Sequence, residues 1–235
     1  MVHTDDTGWR VAGRPAFLMA FVNAALSVYQ VRPRHRNEEV RELIPAEFGG
    51  VLVCDRGRSY DAVELEAVAQ QKCLAHLIRN AANTADEKTG RARHFGTRLA
   101  DTLRRALSLA SGRKQMSPAD YWNQAATLDD ELTILLRDRT LRDPDNQRLL
   151  NGAGAQHDLG RLLRFIGEDE VEATNNRAER DLRPAVIARK VSHCSKNDRG
   201  ARAFEAFTSV LHTIRKMKGS AALVPALLNC SARPG

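Results

Sequence analysis

Three acidic residues far apart in this chain stand out for the chemistry they could do together. Glu179 lies in VEATNNRAERDLRPAVIARKVSHCSKNDRG, residues 171–200, a stretch dense in Asn and Arg. Between Asn176 and Arg202 there are eight Lys or Arg against three Asp or Glu, so 27 residues hold +5 of the net +7. Asp55 ends the apolar run Gly50-Val51-Leu52-Val53-Cys54, and Asp5 sits in the opening VHTDDTGWRV. Carboxylates converging beside a cationic surface can hold two divalent cations roughly 3.5–4 Å apart. One cation activates the attacking oxygen of a phosphoryl transfer and the other stabilises the leaving oxygen. Oxygen ligands suit Mg²⁺ or Mn²⁺, which share their coordination with substrate phosphate, and the surrounding arginines suit nucleic acid.

Each acid also has a plainer reading. Asp55-Arg56-Gly57 could be a turn, Asp5-Asp6 near a terminus could be solvated, and Glu179 could pair with Arg183 one helical turn later. Spacing alone leaves both readings open.

The acids need a frame, and the hydrophobic pattern outlines one. Residues 2–11 read as a strand of mixed polarity and Val11-Ala12-Gly13-Arg14-Pro15 as a turn. Residues 16–23 and 26–31 are apolar, with β-branched and aromatic members, which predicts an antiparallel meander. Residues 37–43 have helical spacing at Val40 and Leu43, stopped by Pro45. Residues 50–55 predict a central strand covered on both faces, with Asp55 at its carboxyl end. Residues 59–70 are expected to be helical. Leucines recur at helical spacing at Leu99, Leu103 and Leu107, at Leu128, Leu132 and Leu135, and at Leu159, Leu162 and Leu163 with Ile166. Residues 84–165 therefore read as all-helical, broken at Ser117-Pro118, at Asp143-Pro144 and by a loop over residues 151–155. The helix carrying Glu179 is expected to end at Pro184. A last helix, 201–218, is expected to bury Phe204, Phe207, Leu211 and Ile214 on one stripe.

The bulk properties narrow the class. At 235 residues, 43% hydrophobic and 28% charged, the chain can bury a substantial core as one domain or one domain with an insertion. Its positive charge favours phosphate-rich partners. The longest apolar stretch, residues 15–26, contains Asn23 and is too short to span a bilayer, and MVHTDDTGWR lacks the features of a signal peptide. Cys54, Cys73, Cys194 and Cys230 are scattered without a CxxC pair, which fits a reducing cytoplasm. Aromatic content of 5%, not interleaved with basic residues, favours duplex held by its phosphates over single strands held by base stacking.

The stretches VHTDDTGWRV, VLVCDRGRSYDA, QQKCLAHLIRN and above all EATNNRAERDLRPAVIARK resemble the insertion sequence 66 family of bacterial transposases. The resemblance runs over nearly the whole chain and is most specific at TNNRAERDLRPAVIARK. It implies an α/β, ribonuclease-H-like mixed sheet flanked by helices, with an all-helical insertion before the last catalytic acid. The corresponding division is a core over 1–83, an insertion over 84–165 and the remaining core over 166–235. Carried over position by position, the Asp-Asp-Glu triad of that family falls on Asp5, Asp55 and Glu179, which would hold Mg²⁺ or Mn²⁺. Asp6 stands where the family usually has Glu, a mild departure beside the first acid.

Around the third acid, Val171, Ala178 and Leu182 can face the core while Glu172, Asn176, Glu179 and Arg183 share the opposite face. Asn175 or Asn176 is expected to fix the Glu179 rotamer or contact phosphate. Arg180, Arg183, Arg189 and Lys190 are expected to hold the DNA backbone. Cys73 and His76 form a Cys-x2-His found at this place in several similar transposase families. They are expected to be a buried, hydrogen-bonded pair bracing the strand that carries the site, with a zinc site shared with His193 and Cys194 as the alternative.

The function expected from the resemblance is metal-dependent cleavage and transfer of DNA strands, with double-stranded DNA at element ends and target as partner. A homo-oligomer on paired ends is implied, although no heptad repeat supports it, in a cytoplasmic, nucleoid-associated protein. Family members carry a long N-terminal part with DNA- and zinc-binding elements, whereas this chain starts almost at the first acid. It is therefore expected to be a truncated remnant or the downstream piece of a split gene. The rival functions are a DNA-binding remnant that cannot cut, and a stand-alone nuclease of the same fold.

Overall fold

The computed structural model describes residues 1–137 and 140–219. These form a mixed α/β protein with five strands and eight α-helices. Four strands within residues 1–68 stand in the order β3-β2-β1-β4. The chain divides into two compact units, residues 1–68 with 175 onward, and residues 69–174.

The first unit opens with the predicted meander. β1 (Val2–Val11) and β2 (Arg14–Val22) pair antiparallel, and β2 pairs antiparallel with β3 (Ser27–Arg32). The β1–β2 connection is two residues long, with Ala12 at φ 52° and Gly13 at φ 77°. Two left-handed residues give a turn whose twist matches that of the strands it joins. β4 (Val51–Cys54) is the apolar run before Asp55 and lies parallel to β1. Leu52, Val53 and Cys54 are fully buried, as expected of a covered strand, but β1 is the strand paired on both sides within this unit.

Alternation along β2 shows why the sheet is covered on both faces. Leu18, Ala20 and Val22 pack with Trp9, Tyr29, Ala178, Leu182 and Ala185, whereas Met19 and Phe21 pack with Val40, Ile44, Leu52, Cys54 and Tyr60. The first face receives α7 (Asn176–Ser192) and the second receives α1 (Asn37–Arg41). Pro184 lies inside α7 rather than ending it. An internal proline removes one helical hydrogen bond and crowds the preceding turn. Here its ring is on the exposed side, while Leu182 and Ala185 on either side of it are buried, so packing carries the helix through.

α8 (Asp198–Lys218) covers the free edge of β3 by a polar route. The outward amides of Ser27, Tyr29 and Val31 donate to Thr213 Oγ1 (3.1 Å), Ser209 Oγ (2.9 Å) and the Glu205 carboxylate. Four helical residues rise about 6 Å and two strand residues about 6.8 Å, so side chains four apart meet amides two apart. This protects an edge that would otherwise offer itself to another strand. The expected apolar stripe is corrected accordingly. Phe204 stacks on Trp9 with ring centroids 4.7 Å apart, but Phe207 is 63% exposed.

The second unit starts with β5 (Ala69–Lys72) and continues as helices. Residues 59–70 are not a helix: 3₁₀ turns occupy Arg58–Tyr60 and Val63–Leu65, and β5 follows. The strand was hidden because Gln70, Gln71 and Lys72 are polar yet fully buried. Gln71 is satisfied by the Leu162 carbonyl (2.9 Å) and the Phe165 amide (3.2 Å).

α2 (Leu74–Asp86) and α3 (Gly90–Gly112) pack closely at Gly96, where a Cβ would stand 2.6 Å from the Ala81 carbonyl oxygen. Ser117 and Asp143 cap α4 (Pro118–Leu136) and α5 (Pro144–Asp158), each accepting from the amide three residues on, with Pro at the first helical position. The loop expected over residues 151–155 is instead the middle of α5. Gly154 serves packing: a Cβ there would lie 3.1 Å from the Leu136 carbonyl oxygen. The helix expected from Leu159 to Ile166 shrinks to α6 (Arg164–Gly167), because α5 ends before Leu159 and Gly160 turns at φ 65°.

Candidate active site

Strand pairing brings the first two acids side by side. In the parallel β1–β4 ladder Val2 is opposite Leu52 and His3 opposite Val53. Carried on two residues, the same register sets Asp5 beside Asp55, just past the end of β4 at Cys54. Side chains alternate along β1. Asp5 therefore shares its side with Trp9, which packs with α7, while Thr4 and Asp6 point to the other face.

Asp5 is held well above the ordinary carboxylate range, at about 7. Burial is the largest cause, and the negative charges of Asp6, Glu179 and Asp55 add to it against a backbone hydrogen bond that pulls the other way. Asp5 thus feels the charges of both other predicted acids. Such a crowd of carboxylates favours either a bound proton or a bound cation.

Asp55 is positioned by its own loop. Its Oδ1 accepts from the Gly57 amide at 2.7 Å, so the turn reading and the site reading hold together. Gly57 is required by close approach, since a Cβ there would meet Asp55 Oδ1 at 2.8 Å. Arg56 is half-buried; burial lowers its pKa against the attraction of Asp55 and Asp61.

Glu179 sits in the first turn of α7, where the exposed amides of the helix end favour negative charge. Ala178, Leu182 and Ala185 are buried on the sheet, which leaves Glu179 half-buried one residue from the core face. Val171 and Glu172, expected on the same helix, precede it. Asn175, immediately before α7, is fully buried and donates from Nδ2 to the Thr4 carbonyl at 3.3 Å. It thereby ties the start of α7 to the strand position next to Asp5, and presents no surface to a phosphate. Arg189, near the far end of α7, donates from Nη1 to Thr7 Oγ1 (2.9 Å) and to the Gly8 carbonyl, fastening the helix to β1 a second time.

Asn176, Arg180, Arg183 and Lys190 are exposed. Arg180 contacts only its own helix among the hydrogen bonds described, through the Asn176 carbonyl at 3.3 Å. Cys73 and His76 belong to the second unit. Cys73 is buried at the start of α2 and His76 is half-buried one turn later, with Cys73 Sγ and a His76 ring nitrogen within 4.8 Å. His193 closes α7 in a left-handed conformation, φ 55°, and the neighbouring Cys194 packs on the core of the first unit. Cys230 lies outside the described residues.

One participant gave no sequence signal. His35 follows β3 in RPRHRNEEV, within a basic run that reads as a solvated loop. Its Nδ1 lies 3.0 Å from Asp6 Oδ1 and its Nε2 3.2 Å from Ser59 Oγ. Tyr60, next to Ser59, hydrogen-bonds through its hydroxyl to Thr4 Oγ1 at 3.4 Å. Burial pulls His35 down, yet the hydrogen bond and charge of Asp6, with Asp55 and Glu39, more than offset it and raise its pKa.

A family model described as Transposase IS66 family matches residues 1–203. The chain belongs to the IS66 family of transposases. The matched region of this family member runs from β1 into α8, and it includes Asp5, Asp55 and Glu179 together with both tethers of α7. No curated protein matches the chain. No helix among the described residues of this IS66 family chain is long and apolar enough to cross a membrane.

Proposed function

We propose that this chain carries the catalytic centre of an IS66 family transposase, cutting and transferring DNA strands at the ends of a mobile element. The observation that carries the reading is the placement of Asp5 on β1, the strand paired with β4, under the charges of Glu179 and Asp55. The frame is read as ribonuclease-H-like. In support, three antiparallel strands are followed by a fourth parallel to the first, in the order β3-β2-β1-β4. On this reading residues 1–83 and 166–235 form the core and residues 84–165 a helical insertion.

The donor set fits a divalent cation. All three groups are carboxylates, hard oxygen donors suited to Mg²⁺ or Mn²⁺. The raised pKa of Asp5 comes first from burial and then from the charges of Asp6, Glu179 and Asp55, and a bound cation would offset that negative charge. Asp5, Asp55 and Glu179 would hold the metal, which when bound supplies activation of the attacking oxygen and stabilisation of the leaving one. The protein's own part is positional. β1 carries one carboxylate, the turn after β4 fixes the second, α7 presents the third, and Asn175 and Arg189 hold α7 on the strand.

Asn176, Arg180, Arg183 and Lys190 line the exposed side of α7 and are assigned to the phosphates of double-stranded DNA, which position a duplex without reading its sequence. Cys73 and His76 are assigned a bracing role at the start of α2. A homo-oligomer on paired element ends and a cytoplasmic, nucleoid-associated place complete the reading.

The test is cleavage and joining of DNA bearing the element's ends in the presence of Mg²⁺ or Mn²⁺. Asp5→Asn, Asp55→Asn and Glu179→Gln should each abolish both steps while leaving DNA binding in place. Binding without cleavage in the unaltered chain would favour a remnant, and cleavage indifferent to the end sequence would favour a stand-alone nuclease.

A further inference from the structure

Both neighbours of Asp5 are tied to the turn that follows Asp55. Thr4 reaches Tyr60 directly, hydroxyl to hydroxyl at 3.4 Å. Asp6 reaches Ser59 through His35, whose two ring nitrogens lie 3.0 Å from the carboxylate and 3.2 Å from the hydroxyl. We propose that His35 is a positioning residue for the acid site, a staple joining β1 to the 3₁₀ turn Arg58–Tyr60 and so setting the separation of Asp5 from Asp55. This rests on the reading of these acids as the catalytic site.

The geometry assigns the role. Thr4 and Asp6 face away from Asp5, so anchoring them holds the backbone on both sides of that residue without occupying the space around its carboxylate. Ser59 and Tyr60 follow Asp55 by four and five residues, in a loop already closed by the Gly57 amide on Asp55 Oδ1. The imidazole is packed for a fixed orientation, its ring 6.0 Å from Phe17 on β2 and 5.5 Å from Tyr60, edge-on to the latter. It bridges in either charge state: neutral, it donates from Nδ1 to Asp6 and accepts at Nε2 from Ser59, and protonated, it donates to both. Ser–His–Asp is also the order of a hydrolytic nucleophile. Ser59, however, is buried in its turn, where no substrate carbonyl meets its hydroxyl.

Supporting groups of this kind change metal affinity or activity by roughly 10–100-fold when removed. The test compares His35→Phe, which keeps a ring between Phe17 and Tyr60 but bonds to neither partner, with His35→Asn, which keeps a donor for Asp6. Each is scored for Mn²⁺ affinity by calorimetry, for strand cleavage, and for thermal midpoint. His35→Phe is expected to weaken Mn²⁺ and slow cleavage by about 10–100-fold, with His35→Asn recovering part of both. Adding Asp6→Asn to His35→Phe should cost little more, because the two act as one link. A variant with a lower midpoint but unaltered Mn²⁺ affinity and cleavage in the folded protein overturns the staple. Should His35→Phe fail to fold, His35→Asn and Ser59→Ala decide by the same readouts, the loss expected in both. Asp5→Asn in the same assays separates the two ideas. If it abolishes Mn²⁺ binding while His35→Phe changes nothing, the staple alone is wrong; if it too binds Mn²⁺ normally, the acid site is wrong and the staple falls with it.

Discussion

Asn175 donates its side-chain amide to the carbonyl of Thr4, 171 residues earlier in the chain and immediately before Asp5. A fully buried amide thus fastens the start of the helix carrying Glu179 to the strand carrying Asp5. The motif that contains Asn175 therefore serves the geometry of the fold.

Replacing that amide tests the link. Asn175→Ala should destabilise the chain by roughly 1–3 kcal/mol, the range for leaving a buried polar partner unsatisfied. It should also slow cleavage more than it weakens DNA binding. Urea melts and a comparison of cleavage rate with DNA affinity check this. An equal loss in both would mean that Asn175 acts on the DNA and not on the acids.

The raised pKa of Asp5 makes stability depend on pH with a definite sign. Its ordinary value is 3.8 and its folded value about 7, so the folded chain holds the extra proton between these limits. Metal-free protein should therefore lose stability as pH rises from about 4 to about 7, by up to about 4 kcal/mol from this group. Asp5→Asn removes that loss, and at pH 8 it should melt above the unaltered chain. Saturating Mg²⁺ should raise the midpoint of the unaltered chain only, by binding linkage. Calorimetric melts at pH 5 and pH 8, with and without Mg²⁺, decide it. An Asn variant without the high-pH advantage would show the carboxylate to be well solvated.

Gly57→Ala addresses Asp55 without touching it. A Cβ at 2.8 Å from Asp55 Oδ1 must displace that carboxylate. The displaced group is a side-chain end, so the stability cost should be modest, about 1 kcal/mol or less. Cleavage, by contrast, should fall by roughly 100-fold, as expected for a small misplacement of a reacting group. Parallel measurement of the thermal midpoint and the single-turnover rate separates the two, and an unchanged rate would remove Asp55 from the site.

The arginines of α7 should divide into two groups. Arg180→Ala and Arg183→Ala are expected to lower DNA affinity and to reduce the salt dependence of binding by about one phosphate contact each, with little change in stability. Arg189→Ala should do the opposite, because its guanidinium is engaged with Thr7 and Gly8 on β1. Binding titrations across a salt series, paired with melts, would reveal the division. A salt slope lowered by Arg189→Ala as much as by Arg183→Ala would place all three on the duplex.

Much of the local structure was legible because its signals are local. The Ala12-Gly13 turn, the meander of β1 to β3, the apolar run before Asp55 and the helix breaks at Ser117-Pro118 and Asp143-Pro144 each follow from residues within a few positions of one another. The misreadings share a cause. Pro184, Gly154 of α5, the polar strand β5 and the exposed Phe207 take their meaning from what packs beside them, and a one-dimensional pattern does not carry that.

What the sequence determined by itself was a family membership, a set of acids and the strands and helices that bear them, since composition and periodicity act over short range. The tertiary structure alone decided that β1 pairs with β4 and brings Asp5 under the charge of Asp55. It also decided that Asn175 faces inward and that His35 bridges Asp6 and Ser59. These are relations between residues tens to hundreds of positions apart. They arise only when the sheet closes and its register, set by which faces are buried, brings distant side chains to a common place.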